Sequence, residues 1–137
     1  MTTYVGARDA LANHISTSLS TDYPTLKVFW ENATKADPNT VGTSFLQVEI
    51  QFNDATDITI DPAAQIDGTV LFRLFYKEGQ GTRQALGLFD YLSGKMAFTE
   101  NLNASGVTLT TPYPGRKRSK DGWASFDLVA PFFFRTI

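Results

Sequence analysis

The side chains able to do chemistry are few. His14 is the one histidine in the chain. A general base needs a neighbour to orient it and a proton within hydrogen-bond reach. No serine or carboxylate is spaced to serve His14 in that way, and one imidazole cannot build a metal site. The chain has no cysteine, which excludes disulfides, thiolate zinc sites and cysteine nucleophiles. Asp54, Asp57, Asp61 and Asp67 gather loosely. Asp54-Ala-Thr-Asp57 lacks the close carboxylate spacing and glycine turn of a calcium loop, so these acids read as solvated strand ends. Glu78-Gly-Gln-Gly81 has neither the third glycine nor the Lys-Ser/Thr of a phosphate loop, and reads as a hairpin-to-helix turn. Asn32-Ala-Thr34 and Asn103-Ala-Ser105 fit the glycosylation pattern, which matters only for a secreted chain. The expectation is a protein without catalytic residues, metal or cofactor.

The conspicuous charge run is Arg116, Lys117, Arg118 and Lys120, four of the twelve basic residues. Elsewhere eight bases face fourteen acids, a balance of −6 within a net charge of −2. A dedicated nucleic-acid binder is usually basic over a whole face, which this chain is not. The run reads as the tip of a hairpin at Pro114–Gly122, exposed and mobile. If it has a task, that task is contact with an acidic neighbour or incidentally with DNA backbone phosphates. Base reading is disfavoured, because no aromatic stacking platform alternates with the charges.

These residues need elements to position them. Tyr4, Ala7, Leu11, Ile15 and Leu19 recur every three or four residues, which predicts a helix over 3–20. Thr2 or Thr3 can cap it, and Pro24 ends it. Thr25–Trp30 reads as a short strand, and 31–43 as a polar loop. Leu46, Val48, Ile50 and Phe52 alternate with polar residues across Ser44–Phe52, the period of a half-buried strand. Asp57–Asp61 repeats the alternation briefly, and Gly68–Lys77 is another strand. Thr82–Ser93 reads as a second helix, with Thr82 as N-cap, Ala85, Phe89, Leu92 and Met96 as its buried stripe and Gly94 as a left-handed cap. Val107–Tyr113 and Trp123–Arg135 complete the set. Helices at two points among hairpin-linked strands define an α+β fold: an antiparallel or mixed sheet carrying two helices, in a single domain over residues 1–137. Phe72, Leu74, Phe89 and Phe126 are expected among its most buried side chains.

The composition agrees with one globular domain, at 42% hydrophobic and 19% charged over 137 residues. The N-terminus lacks the apolar core of a secretory signal and no run is long enough to span a membrane, so a soluble intracellular protein is expected. The aromatic load is harder to place. Ala124, Phe126, Leu128, Ala130, Phe132 and Phe134 form one face of the last strand, a core face. Phe45, Leu71, Phe75, Trp123 and Phe133 then fall on nominally outer faces. Either a helix covers that second face or another subunit does. Pro131 cannot donate to a ladder, which suggests an edge or a bulge there.

The order of elements resembles the tail terminator (tail completion) proteins of long-tailed bacteriophages. The resemblance rests on the amphipathic stretch Ala7–Ile15, on Val28-Phe-Trp-Glu31, on a long strand pair, on one helix across the sheet, and on Asp121-Gly-Trp-Ala-Ser-Phe-Asp-Leu128 running into an apolar C-terminal strand. It departs from the family pattern in the 31–43 loop and at Pro131-Phe-Phe-Phe134. The resemblance implies a structural protein, not an enzyme. It would form a hexameric ring on the tail tube, stop tube polymerisation and offer the surface to which the head joins. Its partners would be other copies of itself, the tail tube protein and a neck or head-completion protein, with no membrane. It would act in the host cytoplasm during assembly and then in the virion tail. Arg116, Lys117, Arg118 and Lys120 are the candidate assembly or DNA-backbone contacts. Phe45, Leu71, Phe75, Trp123 and Phe133 are the candidate subunit interface, suited to a closed heterologous assembly. The rivals are a small ligand-binding or enzymatic α+β domain and another neck or minor tail component. The inward strand faces carry one polar tip, Tyr76, which favours a filled core over a pocket with convergent polar groups.

Overall fold

A computed structural model of the chain describes residues 2–30, 44–57, 64–77, 83–120 and 122–136. Helix α1 spans Tyr4–Asp22. Thr3 caps it, its Oγ1 accepting from the Gly6 N–H at 3.0 Å. Ala7, Leu11, Ile15 and Leu19 are its buried stripe. The backbone leaves helical geometry at Tyr23 (φ −134°), as a residue before proline must. Then follow β1 (Lys27–Trp30), β2 (Phe45–Asp57), β3 (Ala64–Lys77), α2 (Arg83–Lys95), a short 3₁₀ turn (Leu102–Ala104), β4 (Thr108–Leu109), β5 (Tyr113–Lys120) and β6 (Trp123–Thr136). The expected loop at 31–43, the strand stretch beyond Asp57, Glu78–Gly81 and the Thr82 cap lie outside the described residues.

The strands form one mixed sheet in the order β1-β2-β3-β6-β4, with β5 also on β6. Only β1 and β2 run parallel; the other pairs are antiparallel. The fold is α+β, as the element order implies. Strands β2 and β3 are longer than their alternation suggests. Their pairing continues past Phe52↔Gly68 to Asp57↔Ala64, with one extra residue accommodated between Phe52 and Ala55. Gly68 is interior to β3, where it makes room for a neighbour. A Cβ there would sit 2.4 Å from Phe132 Cζ and 2.5 Å from the Gln51 carbonyl oxygen.

The basic run is not a loop. Residues 113–120 form strand β5, paired with β6 from Tyr113↔Val129 to Lys120↔Trp123, with a bulge between Pro114 and Lys117. The ladder partner overrides the Pro-Gly punctuation, and Pro114 is tolerated because β5 pairs on one side. Gly122, at φ 81°, lies in the turn to β6. The expected strand at 107–113 is reduced to the two residues of β4. Pro131 marks neither an outer edge nor a bulge, since β3 pairs with β6 without interruption from Ala64↔Thr136 to Lys77↔Trp123. Its carbonyl accepts from the Thr110 N–H at 3.0 Å. Its missing N–H therefore faces the gap between β4 and β5, where no ladder bond is lost.

Both helices pack into one apolar cluster with the inward residues of the strands, among them Leu46, Val48, Val70, Phe72, Leu74, Leu128 and Phe132. Fully burying such a side chain contributes about 1.5–3 kcal/mol. From α2 the buried set is Ala85, Leu88 and Leu92, followed by Met96. Phe89 is half-buried, and so is Phe126, which stacks on Tyr76 at 5.6 Å. Two of the four expected core residues, Phe72 and Leu74, are thus buried and two are at its margin. Gly94 remains inside α2 and does not cap it in the left-handed region. Among the described residues no helix lies over the opposite face of the sheet, and none is long and apolar enough to cross a membrane.

Candidate functional site

The sheet face opposite the helices is a layered surface. At the β1 end, Phe45 stacks on Phe75 at 4.5 Å, meets the edge of Phe29 at 5.5 Å and approaches Trp123 at 6.5 Å. Lys77 Nζ lies 5.7 Å from the Trp123 ring centroid. Phe45 is 0% exposed and Trp123 7%. Their own chain already covers them, so both drop out of the candidate subunit interface. Aromatic packing within the face accounts for side chains that alternation alone leaves without a home.

Next along the face, Arg73 pairs with Asp127. Arg73 Nε is 3.0 Å from Oδ1, and Nη2 is 3.4 Å from Oδ2. Asp127 is buried, and Gly115 of β5 closes over it so tightly that a Cβ at Gly115 would come within 2.8 Å of Asp127 Cβ. Beyond this pair lies a half-exposed apolar strip. Leu71 pairs with Val129, and Val129 with Tyr113, so three strands contribute adjacent side chains. Phe133 continues it along β6. Leu71, Val129 and Phe133 are half-buried, and Tyr113 is 50% exposed; Phe75, also half-buried, stays on the other side of the ion pair against Phe45. Val129 and Tyr113 were not among the sequence candidates. Val129 shares the parity of Phe133 in β6, but Tyr113 joins only through β5, a strand the sequence disguises as a loop.

The basic residues are spread over an edge strand. Arg116 sits in the bulge. Lys117 faces Phe126, with Nζ 5.2 Å from its ring centroid. Arg118, paired with Ser125, lies on the opposite face, and Lys120 pairs with Trp123 in the ladder. Arg116, Lys117 and Arg118 are exposed. The strand therefore presents charge on both faces of the sheet edge.

His14 Nε2 donates to the Lys95 carbonyl at 2.8 Å, tying α1 to the last residue of α2. Nearby, the Tyr91 hydroxyl lies 2.8 Å from the Ser18 carbonyl and 2.5 Å from Asp22 Oδ2. Burial, followed by the hydrogen bond and charge of Asp22, pushes the Tyr91 phenol up to about 12. Both contacts join the two helices to each other.

A cavity of about 830 Å³ opens between the start of α2 and β1. Leu26, Leu74, Ala85 and Leu88 form its apolar wall, and Lys27 and Arg83 stand on its rim. A smaller hollow of about 280 Å³ lies between α1 and β1 and shares Tyr23 and Leu26 with it.

No protein-family model matches the sequence, and no curated protein matches it. The chain is similar in fold to a solved structure that carries only a serial identifier for a name. The two agree with a TM-score of 0.73 over 98% of this chain and 97% of the other, at 18% sequence identity. That likeness establishes a shared architecture over nearly the whole chain.

Proposed function

We propose that this chain is a structural assembly protein of the tail-terminator kind. It would form a ring on the end of a phage tail tube, stop tube growth and present the surface to which a neck or head-completion protein joins. The observation that carries this reading is the apolar strip Leu71, Val129, Tyr113 and Phe133 on the sheet face opposite the helices. Such a strip is costly to leave in water and is the usual mark of a contact with another protein. The element order supports the same reading: α1, a short β1, the long β2–β3 hairpin, α2 over the sheet and the closing β5–β6 hairpin. The basic edge strand β5 supplies salt-sensitive contacts to a neighbour or, incidentally, to DNA backbone.

The test is tube growth. Added to polymerising tail tube protein, the purified chain should cap tubes and shorten their length distribution in proportion to its concentration. Tubes that grow to the same lengths with and without it would refute the reading.

A further inference from the structure

The bare face of the sheet and the outward face of α2 carry the same chemistry in opposite order. On the sheet, one rung runs Glu49–Leu71–Val129–Tyr113 across β2, β3, β6 and β5. Glu49 is exposed at its β2 end, and the exposed Arg118 stands on the same face in β5. Between them, Arg73 and Asp127 neutralise each other. From β2 to β5 the face therefore presents an acid, an apolar strip and a base.

On α2, Ala85, Leu88 and Leu92 turn inward. Arg83, Leu86, Gly87, Asp90 and Gly94 share the opposite side by helical spacing, and all five are exposed, Leu86 at 46%. A Cβ at Gly87 or Gly94 would meet nothing within 4 Å, so the ridge on either side of Asp90 is low and Leu86 stands proud of it. The helix presents a base, a leucine and an acid. Among the described residues, none of Glu49, Arg83, Asp90 and Arg118 has an ion-pair partner. Glu49 and Arg118 are three strands apart and four residues along, a diagonal of roughly 20 Å. Arg83 and Asp90 are seven residues apart, about 10 Å along the helix. That leaves about 5 Å at each end, which the long side chains of Arg83, Glu49 and Arg118 can span.

We propose that α2 of one copy docks on the bare sheet face of a second copy of this chain. Arg83 meets Glu49, Leu86 settles on Leu71, Val129 and Tyr113, and Asp90 meets Arg118. The helix cannot serve its own molecule in this way, because its inward side is already buried against the other face of the same sheet. The neighbour's helix supplies the second covering layer that the sheet lacks. Helix ridge and bare face lie on opposite sides of one molecule. The contact is therefore heterologous and runs head to tail, closing when the rotation between copies returns to the start. This rests on the ring reading above and identifies the surfaces that join its subunits.

The absence of native cysteine permits a direct test. A Leu86→Cys protein is mixed with a Val129→Cys protein of different tag mass under mild oxidation. The comparison pair replaces Leu86→Cys with Glu100→Cys, an exposed position outside α2. The 86–129 pair should give at least tenfold more mixed dimer than the 100–129 pair. Glu49→Arg should weaken self-association at least tenfold, and Arg83→Glu should restore it in that background. If the native chain self-associates but the 86–129 link does not exceed the comparison pair, or Arg83→Glu deepens the loss, the docking is overturned and the ring reading survives. If the native chain stays monomeric and no link forms, both fall.

Discussion

Arg73 and Asp127 meet across β3 and β6 as a two-point ion pair on the sheet face opposite the helices, with Arg73 Nε 3.0 Å from Oδ1 and Nη2 3.4 Å from Oδ2. The pair is asymmetric: the Asp127 side chain is 6% exposed and that of Arg73 is 27% exposed. Removing the arginine strands a buried carboxylate, whereas removing the aspartate leaves a guanidinium that can turn to water. Arg73→Ala should therefore cost about 3 kcal/mol and Asp127→Ala about 1–2 kcal/mol. Urea unfolding of both variants checks this, and equal losses would contradict it.

The core assignment makes a second prediction. Phe72 is 1% exposed between the two helices and the sheet. Phe72→Ala should cost about 3–5 kcal/mol of unfolding free energy. A loss below about 1 kcal/mol would show that this face of β3 is not the core face.

The helix–helix contact titrates. The Tyr91 pKa is raised in the folded protein from the ordinary 10.0 to about 12. Its neutral form is favoured by folding, so its contribution is complete below pH 10 and is lost as pH rises from 10 towards 12. Spectrophotometric titration should find one tyrosine ionising near pH 12. Tyr91→Phe should lower stability at pH 8 by about 1 kcal/mol and flatten its decline above pH 10.

Much of this architecture is written in periodicity. The α1 stripe and the alternation of Leu46–Phe52 and Val70–Tyr76 place the core, because burying one face demands those periods. Other features depend on partners distant in sequence. β5 is legible only once β6 offers a ladder to a segment of prolines, glycines and charges. Gly68 reads as a strand boundary until the Phe132 ring is seen against it. Phe45 and Trp123 read as interface residues because alternation reports which face a side chain takes, not what covers it there. The apolar strip is half legible: Leu71 and Phe133 from parity, Val129 and Tyr113 only from the register of three strands.

His14 has a structural partner and no catalytic one among the described residues. His14→Ala should lose its hydrogen bond to the Lys95 carbonyl, cost about 1 kcal/mol in thermal or urea unfolding, and leave assembly intact. A folded His14→Ala protein that no longer assembles would contradict this.

The basic strand should separate folding from association. Arg116, Lys117 and Arg118 are exposed, so each charge contributes at most about 1 kcal/mol to a contact, and less in salt. Changing these three and Lys120 to serine should leave the melting temperature within a few degrees of the native value and weaken binding to the tube end or neck. High salt should mimic the change in the native protein. Undiminished binding would leave β5 as a solvated edge whose charges only discourage edge-to-edge pairing.

On the proposed reading the chain completes itself by ring formation. Sedimentation velocity over a wide range of concentration, at low and high salt, tests it most directly. The expected result is a reversible conversion of monomer to a single closed species of six copies, shifted towards monomer by salt. A single monomeric boundary at every concentration and both salts, or open-ended growth without a preferred size, would contradict it.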